Sequence, residues 1–229
     1  VLAAARVRGF QGSSFADPAT LVACAKHFAA YGGAEGGRDY NVVDISERTL
    51  REVYLPPFKA AVDAGAGTLM SAFNEIAGIP SSANRHLLTS ILRSEWGFKG
   101  FVVSDWTAVE ELKQHGIAGT SAEAARKAIE AGVDMDMVSE LFVKELPTLA
   151  AKGTIAESVI DEAVRRVLRV KFALGLFENP YRNCGLDREG LDVMKKEYVG
   201  FARSFAARSL VLLKNDGNIL PLRKDIRTL

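Results

Sequence analysis

The sequence predicts an α/β protein built on a parallel sheet, and three observations carry this reading. Short apolar strands near Lys26, Met70, Val103 and Met135 recur at intervals of roughly 30–45 residues, one βα unit each. Helical periodicity fills the intervals between them. The strands are continuously apolar, as in sheets covered by helices on both faces. Two architectures fit: a doubly wound open sheet, or a (β/α)8 barrel. A barrel takes about 250 residues, so four units amount to half of one.

The elements follow in order. Leu21 to Phe28 is apolar and ends as a strand at Lys26-His27. Ser46 caps a helix that opens with Glu47 at the positive end of its dipole and runs towards Ala64, bent or interrupted at Pro56-Pro57. Gly65 and Gly67 stop it. Thr68 to Ala72 is a short strand. Asn84 to Trp96 is a helix with Leu87, Leu88, Ile91, Leu92 and Trp96 on one face. Phe101 to Ser104 is a strand, Ser121 to Ala131 an alanine-rich helix, and Val133 to Val138 a further strand. Helices follow at Glu140 to Ala151 and Glu157 to Leu174. After Gly175 the stretch LFENPYRNCG has turn residues and little periodicity. Lys196 to Ala207 then reads as a helix and Ser209 to Lys214 as a strand. NDGNILPL is a turn with an apolar stub. Residues 1–175 form the main domain by this reading, and 176–229 a linker with the opening of a second.

Composition narrows the function. The 229 residues are 48% hydrophobic and 25% charged, ordinary for a globular protein, and the net charge is +1. No run of Lys or Arg exceeds two, so neither a nucleic-acid footprint nor a polybasic membrane patch is present in the sequence. No apolar run approaches the roughly 18–20 residues of a membrane-spanning helix. No signal peptide is legible, and the chain opens on Val1. Cys24 reads as a small buried hydrophobe, and a Cys24–Cys184 disulfide stays open. His27, His86 and His115 share no ligand spacing, and HExxH, CxxC and GxSxG are absent, so neither a metal nor a serine nucleophile is expected. GGAEGG lacks the order of a phosphate-binding loop.

The chemistry-bearing residues fall at the C-terminal ends of strands, where ligands bind in either architecture. Lys26-His27 ends the first strand, Asn74 follows the second, and Asp105-Trp106 ends the third. Asp105 reads either as a cap or as a catalytic carboxylate. Trp106 beside it favours the second reading, because sugar rings stack on indole while their hydroxyls seek carboxylates and cations. Lys26 and His27 supply hydrogen-bond donors to vicinal hydroxyls, or a snorkelling cation and a satisfied imidazole. Arg38 is a pocket cation or a solvated one. Met70 and Phe73 are core by residue type, although Phe73, just past its strand, can wall a pocket.

Five motifs in order carry a resemblance: AKHFAAYGGAEGGRDYN, LREVYLPPFKAAV, MSAFNEIAGIPSSAN, WGFKGFVVSDW and LLKNDGNILPL. Together they resemble glycoside hydrolase family 3, in its bacterial β-glucosidase-like branch. The resemblance implies the C-terminal half of a TIM-type (β/α)8 barrel, followed by the linker and start of an αβα sandwich. It implies a retaining, exo-acting β-glycosidase that needs no cofactor or metal. Asp105 matches the nucleophile. Lys26, His27 and Arg38 match residues that hold the non-reducing sugar. Met70 and Phe73 match the wall of its pocket, with Phe73 where many members carry Tyr. Trp106 matches an aromatic wall on the leaving-group side. KHFAAYGG departs from the KHFPGHG-type loop of the N-acetylglucosaminidase branch, which disfavours that branch.

The resemblance also places the acid/base glutamate on the second domain, beyond Leu229, rather than at Glu35, Glu75 or Glu110. Other barrel strands would complete the sugar site, and the 229 residues alone are expected to be inactive. The implied partner is a β-glucoside or small oligosaccharide, and many members are periplasmic or secreted. Two other readings of the same residues remain open: a non-catalytic sugar-binding module, and a barrel lyase with Lys26 as a Schiff base.

Overall fold

The computed structural model describes residues 1–185 and 195–226. They fall into two compact units, Val1–Asn183 and Cys184–Leu229.

The first unit opens with α1 (Leu2–Gln11) and β1 (Cys24–Phe28). Ser46 then caps a helix, its Oγ accepting from the Thr49 N–H at 3.2 Å. That helix, α2 (Glu47–Thr49), widens into a π-type turn over Leu50–Tyr54. The Leu55 N–H reaches back five residues to the Leu50 carbonyl, and Pro56, which has no N–H, begins α3 (Pro56–Asp63). The expected bend at the proline pair is therefore a change of helix pitch. Next come β2 (Thr68–Ser71) and a hairpin of β3 (Glu75–Ile76) and β4 (Ile79–Pro80). Its two-residue turn, Ala77-Gly78, has positive φ at both positions, the geometry whose twist matches the paired strands. A wide π-type helix spans His86–Glu95, its first turn held by Asn84 Oδ1, which accepts from the Leu87 N–H. β5 (Phe101–Val103), α4 (Ser121–Ala131), α5 (Leu141–Ala151) and α6 (Glu157–Ala173) complete the unit.

The sheet is parallel in the order β1-β2-β5. Thr68 pairs with Cys24 and Phe101, and Met70 with Val103. Between Ala25 and Phe28 the β1–β2 register slips by one residue. Leu69 and Val102 lie on the face that packs against Leu87, Leu88, Ile91 and Leu92, all fully buried. Phe28 joins them, its ring edge-on to Phe58 and Trp96 at 5.1 and 5.9 Å. The other face carries Cys24, Thr68, Met70, Phe101 and Val103, and contributes nothing to that cluster. The sequence predicts cover on both faces. Among the described residues, the main core lies on one.

Three further expectations change. Val133 to Val138 is not a ladder strand: it makes a single bridge, Val103 to Met135, although Asp134, Met135 and Ser104 still exchange backbone hydrogen bonds with β5's end. Cys24 is exposed rather than buried, because the one-residue alternation of β1 turns it to the open face, and Cys24 and Cys184 are both free thiols. In the second unit, α7 (Lys196–Ser209) extends through Ser209, and residues 210–215 form no strand. Leu210 to Leu213 are exposed there, and a strand needs a ladder partner.

A buried ion cluster ties the sheet to its helices. The Asp134 carboxylate, its side chain 1% exposed, accepts from Arg93, from Arg166 at 2.8 Å and from the Val102 N–H at 2.7 Å. This joins β5, the His86–Glu95 helix and α6 at one point. No helix of the described residues is long and apolar enough to cross a membrane.

Candidate active site

β5 ends at Val103, and the next two residues turn the chain out of the sheet. Ser104 fixes that exit: its hydroxyl donates to the Asp105 carbonyl at 2.9 Å and accepts from the Met137 N–H at 2.8 Å. The strand period places Asp105 on the same face as Val103 and Met70, away from the main core.

The Asp105 carboxylate caps no helix. Oδ1 accepts from the Trp106 N–H at 2.8 Å, which fixes the plane of the group. Oδ2 is buried and makes no hydrogen bond. His27 Nε2 lies 3.2 Å from it, close enough for an ion pair but not aligned as a donor. An unsatisfied, buried carboxylate oxygen is costly in a fold, and here it sits where two parallel strands end.

The β1 register slips between Ala25 and Phe28, and His27 within that slip lies beside Asp105. Burial lowers the His27 pKa from 6.5, Asp105 opposes that shift, and nearby Lys26 reinforces it. The imidazole is accordingly neutral near pH 7. It also meets the Tyr31 ring, centroids 5.1 Å apart, and the Tyr31 hydroxyl donates to Asp39 Oδ1. Burial and the Asp39 carboxylate hold that phenol in its protonated form.

The other expected site residues divide. Met70 is half-buried on the Asp105 face of β2. Trp106 is 61% exposed, an indole standing at the strand mouth. Phe73 packs on Tyr40, centroids 4.5 Å apart. Lys26 is exposed on β1 and makes no ion pair with Asp105. With His27, it borders a cavity of about 560 Å³ between β1, α1 and α3. Arg38 is exposed in the glycine-rich loop and makes no ion pair among the described residues. Of Lys26, His27 and Arg38, only His27 lies in direct contact with Asp105.

Three sets of contacts were not legible in the sequence. Tyr31 and Asp39 lie within one sequence motif, but only the fold shows that the loop closes on itself. Asn74, 1% exposed, donates to the Ala29 carbonyl at 3.2 Å, while its Oδ1 has no partner. Glu75 pairs with His115 at 3.7 Å, a contact between elements 40 residues apart. None of Glu35, Glu75 and Glu110 contacts Asp105; Glu110 pairs with Lys113. No group of three or more metal-ligating side chains occurs among the described residues.

Comparison with known proteins places this geometry in context. Residues 1–170 match the glycosyl hydrolase family 3 N-terminal domain. The periplasmic β-glucosidase of Salmonella typhimurium is 44% identical over 222 residues, which cover 96% of this chain and 29% of that protein. A putative β-xylosidase of Formosa agariphila is 40% identical, covering 97% and 30%. Among solved structures, the Listeria innocua β-glucosidase in complex with glucose superposes with a TM-score of 0.89 at 45% identity, covering 96% of this chain and 30% of that one. A mutant of the same enzyme in complex with laminaribiose gives 0.92 at 43%. The chain spans about 30% of the length of these relatives.

Proposed function

The chain belongs to glycosyl hydrolase family 3, and we propose that this protein is a retaining, exo-acting β-glycosidase of β-glucosidase type with Asp105 as its nucleophile. The single observation that carries the assignment is Asp105 Oδ2: buried, free of hydrogen bonds, and turned to the open face of the sheet. Its lone pairs are not engaged by any donor, while the Trp106 N–H holds Oδ1 in place.

Oδ2 attacks the anomeric carbon of the terminal sugar as the glycosidic C–O bond breaks. The leaving oxygen takes a proton from a glutamic acid supplied by the second domain. That glutamate then removes a proton from water, the water oxygen attacks the same carbon, and the Asp105–sugar bond breaks. Two displacements give net retention, and the two carboxyl groups must lie about 5–5.5 Å apart. His27, neutral and 3.2 Å away, donates to a sugar hydroxyl or steadies the carboxylate without adding a full charge. Lys26, Arg38, Met70, Phe73 and Trp106 complete the proposed sugar site.

Residues 1–175 are proposed to be the C-terminal half of a (β/α)8 barrel. A main core on one face of the sheet suits a barrel, whose other face is the barrel interior, better than a doubly wound sheet. The rest of the barrel would supply further sugar contacts, and residues 176–229 would lead into the sandwich domain that bears the acid/base. The substrate is proposed to be a β-glucoside or short β-linked oligosaccharide; relatives are named both β-glucosidases and β-xylosidases.

A 2-deoxy-2-fluoro glucoside with a good leaving group tests this on the full-length protein. The expected result is a stable glycosyl-enzyme with the sugar mass on the peptide containing Asp105. Label on any other carboxylate overturns the assignment.

A further inference from the structure

We propose that Asn74 is a positioning residue for the reaction: its side-chain amide clasps both ends of the glycine-rich loop of residues 29–43 and so holds His27 against Asp105. This rests on the glycosidase reading and deepens it.

Asn74 is the polar residue that follows β2, and its side chain reaches across to other elements. Nδ2 donates to the Ala29 carbonyl at 3.2 Å, where the loop begins, and to the Glu75 carbonyl at 3.4 Å. The Glu75 carbonyl also accepts from the Val43 N–H at 3.0 Å, where the loop ends. One amide group thus meets the entry of the loop directly and its exit through a shared carbonyl. Two carbonyls at one nitrogen call for a donor with two hydrogens, which a primary amide supplies and a carboxylate does not. Ala29 and Val43 are fully buried, so both anchor points lie in the core, while Arg38 between them is exposed.

Asn74 is itself fixed. Its carbonyl accepts from the Ser81 N–H at 3.1 Å and from the Ser81 hydroxyl at 2.9 Å, and Ser81 is fully buried just after β4. Its Oδ1 is buried and has no partner among the described residues. An amide with one half unpaired is a poor choice for stability alone, which favours a part in the site.

His27 needs such a fixture. It lies within the slip of β1, where the pairing with β2 breaks between Ala25 and Phe28. After His27 the chain is tied to β2 by the Ala72 N–H, which donates to the Phe28 carbonyl at 2.8 Å, and then by Asn74 at Ala29. Within the loop, the Tyr31 ring meets the imidazole, and the Tyr31 hydroxyl donates to Asp39 Oδ1. The same Asp39 oxygen accepts from the Tyr40 N–H at 3.0 Å. Loop and imidazole are therefore coupled at two places, through the backbone at Ala29 and through the ring of Tyr31.

The test uses the full-length protein carrying Asn74→Ala, His27→Gln, or both. Labelling to completion with a 2-deoxy-2-fluoro glucoside counts the active sites by mass, and kcat/KM for 4-nitrophenyl β-glucoside is expressed per labelled site. A mere support of the fold changes the number of labelled sites and not the rate at each. Asn74→Ala is expected to lower the rate per site about tenfold, but less than about twofold when residue 27 is already Gln. A rate per site within about twofold of the unsubstituted protein overturns the proposal. So does an equal loss in both backgrounds, because Asn74 then acts by a route other than His27. Asn74→Ser carries the same expectations if Asn74→Ala is not recovered folded, and failure of both to fold also overturns the proposal. If the unsubstituted protein takes no label and cleaves no glucoside, it is the glycosidase reading that fails.

Discussion

His27 Nε2 stands 3.2 Å from Asp105 Oδ2, and that oxygen still makes no hydrogen bond. The pair brings β1 and β5 together across β2, which lies between them in the sheet. Proximity without alignment leaves the carboxylate poised rather than quenched.

The first prediction concerns that carboxylate. Asp105→Asn keeps the shape and removes the proposed nucleophile. Turnover in the full-length protein should fall at least about a thousandfold, while calorimetry still detects glucose binding. Hydrolysis within about tenfold of the unsubstituted protein would remove Asp105 from the mechanism.

A second prediction concerns pH. Burial lowers the His27 pKa in the fold, so the unfolded chain takes up this proton at higher pH than the folded one. The stability linked to a neutral His27 is full above its ordinary value of 6.5 and is lost as pH falls through the lower folded value. Asp105, Lys26 and Asp39 are the charges acting on it. Denaturant unfolding at roughly pH 7.5 and pH 5 should show a smaller acid-induced loss for His27→Gln. An identical loss in both proteins would contradict this direction.

Asp134 supplies a third. Its carboxylate is enclosed by two guanidinium groups and a backbone N–H, so Asp134→Ala leaves Arg93 and Arg166 without their anion. Removing one partner of a buried pair costs about 3–5 kcal/mol. A change in unfolding free energy below about 1 kcal/mol would mean that water replaces the carboxylate at no penalty.

The fourth prediction is steric. A Cβ on Gly100 would lie 2.0 Å from the Gly67 carbonyl oxygen, which accepts from the Phe101 N–H. Neither backbone can yield without opening the β2–β5 pairing. Gly100→Ala should therefore cost at least about 1–3 kcal/mol, whereas Gly97→Ala is strained only through its positive φ, with nothing within 4 Å. Equal stability of the two variants would rule out the clash.

The ladder strands and most helices were legible because their signals are local. Ser46 and the proline pair mark a helix start and a pitch change from neighbouring residues alone. Ser121–Ala131 matches its expected bounds because Thr120 caps it and Gly132 ends it. What was not legible depends on partners distant in sequence. Val133 to Val138 has strand composition, but only Met135 finds a bridge. Leu210 to Leu213 have it too, with no ladder to join. At the site, residue types located Asp105, His27 and Trp106 at strand ends, but not the exposure of Arg38 or the charge state of His27. Burial decides the latter. The Tyr31–Asp39–Tyr40 chain was invisible for a different reason: it needs a loop to fold back through two glycine-rich turns.

Ser104 joins the end of β5 to the backbone at Met137, 33 residues later in sequence. The placement of Asp105 is consequently not a property of its own strand. A one-residue insertion or deletion between Met135 and Ser139 would shift the Met137 amide and release the hydroxyl that grips the Asp105 carbonyl. The carboxylate proposed to react would drift although every residue near it in sequence was intact. Length in that short connection, more than its composition, is what natural variation should hold fixed.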